Sequence, residues 1–259
     1  MIELPDLATF SAVIADRRFY AAAAVAALAG VVRGFSGFGS ALIHVPLISA
    51  IYEPRLATVS YILIDLPCTL PFALRAISQC QWREILPAIV AAVFAVPLGT
   101  YVQTASDPIL LRWAMAALVL CFLAIVVSGW RYRGKPGALP SSVAGFLSGF
   151  AGGAAQMSGP PVILYWLGIP GSVGVVRANL LVFFLLLGAT LVISYVTQNL
   201  VTPQAIAIAV MLWPLYLMAL YIGARWFHGA TDSGYRRVAY AIVALAALVS
   251  LPLFDGLLR

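Results

Sequence analysis

Two glycine-rich stretches carry the residues with the most capacity for chemistry. The first reads Gly34-Phe35-Ser36-Gly37-Phe38-Gly39-Ser40 and follows directly on Arg33. The second reads Gly149-Phe150-Ala151-Gly152-Gly153 and leads through Gln156 to Ser158-Gly159-Pro160-Pro161. Glycine permits unusual dihedrals and lets backbone approach a ligand closely. A helix that starts after such a break presents unpaired N–H groups and a positive dipole end, which suits an anion. The expected anion-binding residues are therefore Arg33, Ser36, Gly37, Gly39 and Ser40 on the first stretch. Gly149, Gly152, Gln156, Ser158 and Gly159 are their counterparts on the second, with Asn179 a short way beyond. Close helix packing through small residues is the competing reading of the same glycines.

Three ionisable residues stand out because apolar runs surround them. Arg33 would draw an anionic substrate or pair with an acid, or its long stem would carry the charge to an interface. Asp65 lies midway along an apolar run at 57–74, where a charge is costly, so proton coupling or an ion pair with Arg33 are its functional readings. A protonated, hydrogen-bonded structural Asp is the alternative. His44 follows the first break by a few residues, and its ordinary pKa of ~6.5 suits a proton relay as well as it suits a packing role. Cys68, Cys80 and Cys121 show no CxxC spacing and read as small apolar packers. No H-E-x-x-H or carboxylate-rich constellation is present, so neither a metal nor another cofactor is implied.

These residues need elements to hold them, and composition says what kind. The chain of 259 residues is 63% hydrophobic and 9% charged, with a mean hydropathy of +1.01. A soluble domain carries about 25% charged residues, so this chain cannot build an ordinary water-facing surface. Apolar segments fall near 19–33, 41–52, 57–74, 85–104, 109–130, 141–155, 160–168, 175–197, 204–224 and 238–254. Several reach the roughly 20 residues that a membrane-spanning helix needs. Residues 1–16 hold Glu3, Asp6 and Asp16 and no basic residue, unlike the start of a cleaved signal. The net charge of +6 comes from arginines in short loops, which fits membrane topology and not nucleic acid.

The chain has two related halves. Ser36-Gly37-Phe38 returns as Ser148-Gly149-Phe150, Pro46 as Pro160 or Pro161, and Gly99 as Gly223; Asp107 and Arg112 return as Asp232 and Arg237. Short segments flanking Gly/Pro breaks at matching places in two halves are a pointer to a transporter binding site. The expected fold is an all-α membrane protein of two inverted repeats, 19–130 and 141–254, joined by a basic cytoplasmic linker at 131–140 within a single integral membrane domain, 1–259. Each repeat is a broken or re-entrant Gly-rich helical hairpin plus three transmembrane helices, about eight helical elements in all. With that linker inside, nine basic residues fall on the cytoplasmic side against five outside. Arg177 then lies at the cytoplasmic mouth.

At the two Gly-rich segments the sequence resembles the sulfite exporter TauE/SafE family. The segments run Gly34-Phe-Ser-Gly-Phe-Gly-Ser-Ala-Leu-Ile-His-Val-Pro46-Leu and Gly145-Phe-Leu-Ser-Gly-Phe-Ala-Gly-Gly-Ala-Ala-Gln-Met-Ser-Gly-Pro-Pro-Val-Ile-Leu164. The first departs from the family pattern, with Ser40 and Ala41 where glycines often continue and His44 where an apolar residue is usual. The resemblance implies a secondary transporter, not an enzyme, in a bacterial inner membrane. Its cargo would be sulfite, a related sulfur oxyanion or an organosulfonate. The anion would sit near the midplane between the two hairpin tips and be moved by alternating access. Expected partners are this small anion and the lipid bilayer, without nucleic acid; a homo-oligomer is also compatible.

Two rivals remain at this point. A passive anion channel shares every feature above. Gly34-Phe35-Ser36-Gly37 also matches the G-x-S-G of rhomboid proteases, but a serine nucleophile needs a base in reach. His44 lies on the same hairpin and His228 in an expected loop, so an intramembrane hydrolase is disfavoured.

Overall fold

The computed structural model describes residues 3–36, 39–129, 132–169 and 172–226. The expected last span, 238–254, and Gly37 lie outside these residues. The described residues form ten helices and no strand: α1 (Leu7–Ala15), α2 (Arg18–Ser36), α3 (Ala41–Ile51), α4 (Pro54–Ala76), α5 (Trp82–Ala105), α6 (Pro108–Val127), α7 (Ala138–Ala155), α8 (Gly159–Trp166), α9 (Val173–Thr197) and α10 (Pro203–Trp226). Five of them, α4, α5, α6, α9 and α10, are long and apolar enough to cross a bilayer. At about 1.5 Å per residue each covers the roughly 30 Å hydrocarbon core. Large apolar side chains on these helices face outward, Phe94 at 72% exposure among them, a surface that lipid satisfies and water does not.

Local chemistry sets the boundaries. Glu53-Pro54, Asp107-Pro108 and Thr202-Pro203 each place a proline at the first helical position, where its missing N–H costs nothing. Asp107 Oδ1 accepts from the amides of Ile109 and Leu110, and Thr202 Oγ1 accepts from that of Ala205. Ser172 does the same for Val175 at the start of α9. Helix α1 was not expected. Asp6 caps it by accepting from both the amide and the hydroxyl of Thr9, at 2.8 and 2.6 Å. Beyond it, Asp16 pairs with Arg18 at 3.0 Å, and the Arg18 guanidinium lies 5.0 Å from the centre of the Tyr52 ring.

Among the ten described helices α1 is an addition, and each interrupted segment is two helices, α2 with α3 and α7 with α8. The paired arms are not equally short. Helix α2 has 19 residues and α7 has 18, close to a full crossing, whereas α3 has 11 and α8 has 8.

The chain divides into two compact units. The first holds α1 to α3, α4 as far as Ile64, α6 as far as Ala124, and α10. Within it, α2 packs on α10 and α3 packs back on α2. Glycines permit the first contact. A Cβ on Gly30 would stand 2.6 Å from the Tyr216 carbonyl oxygen, one on Gly34 would enter the Leu220 backbone, and one on Gly223 would enter that of Val31.

The second unit holds Asp65 to Ala105 and Ile125 to Gln198. Its main contact is α5 against α7, supported by α9 against both. Gly145, Gly149 and Gly153 form a stripe that meets the backbones of Ala88, Ala92 and Val96, and Gly99 meets Phe150 in return. The contacted residue numbers rise together, so α5 and α7 run parallel, as α2 and α10 do in the first unit. Ser141 and Ser142 donate to the carbonyls of Glu84 and Pro87, at 2.7 and 3.3 Å, and Ser194 donates to Thr100 at 3.0 Å. Such buried hydroxyl bonds hold helices together where apolar contact gives no preference over lipid.

Candidate functional site

The first break lies in the first unit. Arg33 is half-buried in the last turn of α2, which Ser36 closes. The chain turns at Gly39, whose φ of +87° excludes ordinary side chains although nothing stands within 4 Å of where a Cβ would be. Here glycine is required by the backbone and not by crowding. Ser40 follows as the N-cap of α3, fully buried, with its hydroxyl 2.9 Å from that of Tyr61 on α4. One turn on, the His44 ring stands 5.5 Å from the Tyr61 ring, tilted by 50°. His44 is fully buried, and neither ring nitrogen has a hydrogen-bond partner among the described residues. Most of α3 is buried, as a broken helix within a membrane must be. Ser40 and His44 therefore come together, and Tyr61 joins them. Sequence reasoning passed over Tyr61, although it stands one turn before Asp65 on the same helix.

The second break lies in the second unit. Helix α7 ends in a paired cap, in which the Met157 amide donates to the Ala151 carbonyl at 3.1 Å and the Gln156 amide to Gly152 at 2.8 Å. This geometry needs a left-handed residue, a place usually taken by glycine or asparagine. Gln156 takes it with φ 57° and ψ 21°. It is 4% exposed, and its Nε2 has no hydrogen-bond partner among the described residues. A strained glutamine with an unspent buried amide is the kind of outlier that collects at ligand sites.

Gly152 and Ser158 also come together: a Cβ on Gly152 would lie 3.1 Å from the Ser158 Cβ, so the missing side chain lets the start of α8 close onto α7. The Tyr195 hydroxyl donates to the Gly152 carbonyl at 3.4 Å. Ser158 is the N-cap of α8 but makes no side-chain cap bond. Gly159 begins the helix, and Pro160 and Pro161 follow it without N–H groups. The prolines remove two of the four amides that a helix start normally offers. Side-chain donors therefore matter more here than the bare helix end does. Ser148, one turn before Gly152, is a further such donor that sequence reasoning used only as a repeat marker. Its buried hydroxyl has no partner among the described residues.

The other expected site residues are placed as follows. Gly149 meets Ala92 and belongs to the packing stripe of α7. Asn179 is 1% exposed, accepts from the Gln81 amide at 2.8 Å and donates to Glu84 at 3.3 Å, so it holds the start of α5. Asp65 is buried, with its backbone carbonyl accepting from Thr69 at 3.1 Å. It belongs to the second unit and Arg33 to the first. Arg177 is exposed near the start of α9. Cys68 is buried and Cys121 is exposed on an apolar helix, and neither forms a disulfide among the described residues.

The family model described as "Sulfite exporter TauE/SafE" matches residues 22–250. No curated protein matches the chain, and neither does any solved structure. With a match over most of its length, and with five helices able to span a bilayer, the chain is a multi-pass membrane protein that belongs to the TauE/SafE sulfite exporter family.

Proposed function

We propose that this protein is a secondary transporter exporting a small sulfur oxyanion or organosulfonate across a bacterial inner membrane by alternating access. The observation that carries the reading is Gln156. Its buried amide has a donor to spare, it sits at a helix break, and it keeps a left-handed backbone that glutamine seldom adopts. The charged oxygens of an oxyanion accept hydrogen bonds, so they suit the leftover N–H. Ser158 and Gly159 supply further donors at the same break. Arg33, Ser36, Gly37, Gly39 and Ser40 serve the first break, Arg33 by attracting the anion. His44 and Asp65 are the candidates for proton movement.

The repeat belongs to the same proposal. Gly30 and Gly34 do in the first unit what Gly149 and Gly153 do in the second, 119 residues later. Their partners Tyr216 and Leu220 likewise follow Ala92 and Val96 by 124 residues, the same interval that separates Gly99 from Gly223. Two helix pairs built on one glycine spacing support duplicated halves. They favour a register for the hairpin arms in which Gly149 answers Gly30 and not Gly37. Loop charge supports the inverted orientation.

The test is flux from proteoliposomes loaded with sulfite or with a panel of sulfonates. Saturable export that Arg33→Ala and Gln156→Ala both reduce is the expected result. A wild-type protein that moves none of these anions would end the proposal, and flux that never saturates would point to a channel.

A further inference from the structure

His44 is the one histidine among the described residues, and it is placed at a cost. A neutral imidazole carries one N–H donor and one lone-pair acceptor. Both are buried, and neither meets a partner among the described residues. A leucine or phenylalanine would fill the same volume without leaving polar atoms unmet. Buried polar groups nearly always find partners, so two orphan nitrogens on one ring ask for a ligand able to donate as well as accept.

The surroundings narrow that ligand. Ser40 and Tyr61 stand beside the ring with their hydroxyls 2.9 Å apart, and both are buried. On α3 itself Ile43, Val45 and Ile48 are fully buried apolar neighbours. A fully ionised oxyanion such as sulfite dianion has acceptors alone. It could use the imidazole N–H but would face the ring's lone pair with nothing to offer. An anion that keeps an O–H of its own satisfies both nitrogens at once.

We infer that the His44 imidazole, walled by the Ser40–Tyr61 hydroxyl pair, selects anions that carry an O–H group. The class comprises hydrogensulfite and hydroxyalkylsulfonates, in preference to sulfite dianion and plain alkylsulfonates. This deepens the export reading and rests on it. In this role His44 binds through both nitrogens, one donating and one accepting.

Isethionate and ethanesulfonate make the test, because they share charge and sulfonate group and differ by one hydroxyl. Efflux of each is measured from proteoliposomes holding the full chain. Their ratio within one preparation is independent of how much protein is folded. Wild type is expected to favour isethionate by about tenfold, the scale of one well-made hydrogen bond to a substrate hydroxyl. His44→Phe is expected to bring the ratio near unity. His44→Gln, which keeps a donor and an acceptor, is expected to restore most of it, which a merely structural role would not do. Equal efflux of the two anions by wild type overturns the inference even if the Phe variant fails to fold. So does a Phe variant that keeps the wild-type ratio. In either case export itself stands. A wild type that moves neither sulfite nor any sulfonate fails the export reading and this inference with it.

Discussion

Ser40 occupies the N-cap of α3, yet its hydroxyl reaches across to Tyr61 on α4, 2.9 Å away, and leaves the cap unmade. Its backbone explains this. With φ −59° and ψ −36°, Ser40 is already helical, whereas a capping serine is normally extended. The serine thus ties two helices together. Ser40→Ala is expected to lower stability by about 1 kcal/mol, the net worth of one buried hydrogen bond. Thermal unfolding in detergent measures it, and an unchanged midpoint would show that the pair contributes nothing.

The glycines separate into two kinds. Gly34→Ala and Gly153→Ala push a methyl into the backbones of Leu220 and Val96, which cannot yield as a side chain can. Each is expected to cost about 1–3 kcal/mol through overpacking. Gly39→Ala meets no atom, and its cost of roughly 1–2 kcal/mol comes from the left-handed backbone alone. Asparagine tolerates that conformation, so Gly39→Asn should recover part of the loss while Gly34→Asn should not. Unfolding midpoints of the five variants check the distinction.

Gln156 should separate stability from transport. Gln156→Gly relieves the left-handed strain and is expected to raise stability by about 1 kcal/mol. The same change removes the spare amide, and sulfite flux should fall about tenfold, as for one lost charge-assisted bond. Gln156→Ala keeps the strain and loses the amide, so its flux should fall as far without the gain in stability. Full flux in the glycine variant would remove Gln156 from the binding site.

Asn179 ties α9 to the start of α5 through Gln81 and Glu84. Asn179→Leu leaves the Gln81 amide without its acceptor beside a buried side chain, at a cost of about 1–3 kcal/mol. Faster hydrogen exchange in the first turn of α5 is the expected sign, and unaltered exchange there would mean that the bond is dispensable.

Helix α1 should depend on pH through Asp6. Hydrogen bonds from the Thr9 side chain and then the Thr9 amide hold the Asp6 carboxyl below its ordinary value of 3.8. A lowered folded pKa contributes stability that is complete above the ordinary value and is lost as pH falls through the lowered one. Protection of the α1 amides should therefore drop on acidification below about pH 4. Asp6→Asn, whose amide oxygen accepts at any pH, should remove that dependence.

Much of the architecture could be read from the residues. The expected run 41–52 is α3 at Ala41–Ile51, and 85–104 is α5 at Trp82–Ala105. Long apolar runs bounded by acid-proline or threonine-proline pairs leave little freedom about where a helix starts. The first arm runs past its expected end at 33, where Gly34 resembles a break. The helix continues through it, and its missing side chain serves the contact with α10. A glycine that stops a helix and one that lets another helix approach look alike in a sequence. Helix α1 carried one local signal, an aspartate three residues before a threonine, in a stretch too short for periodicity to register. In the candidate site, the polar character of Gln156 and His44 was visible, but not the left-handed backbone or the orphaned nitrogens. The hold of Asn179 on Gln81 joins residues 98 apart in sequence, and no local pattern announces it.

The glycine stripes also set a timetable for biosynthesis. Helix α2 emerges from the ribosome early, but the partner for its notched face, α10, is made near the end of the described chain. Helix α7 finds α5 already waiting. Between the completion of α7 and that of α10 the nascent protein therefore has one of its two glycine seams zipped and the other open. Whatever guards α2 during that interval, lipid or an insertion factor, must let go when α10 arrives.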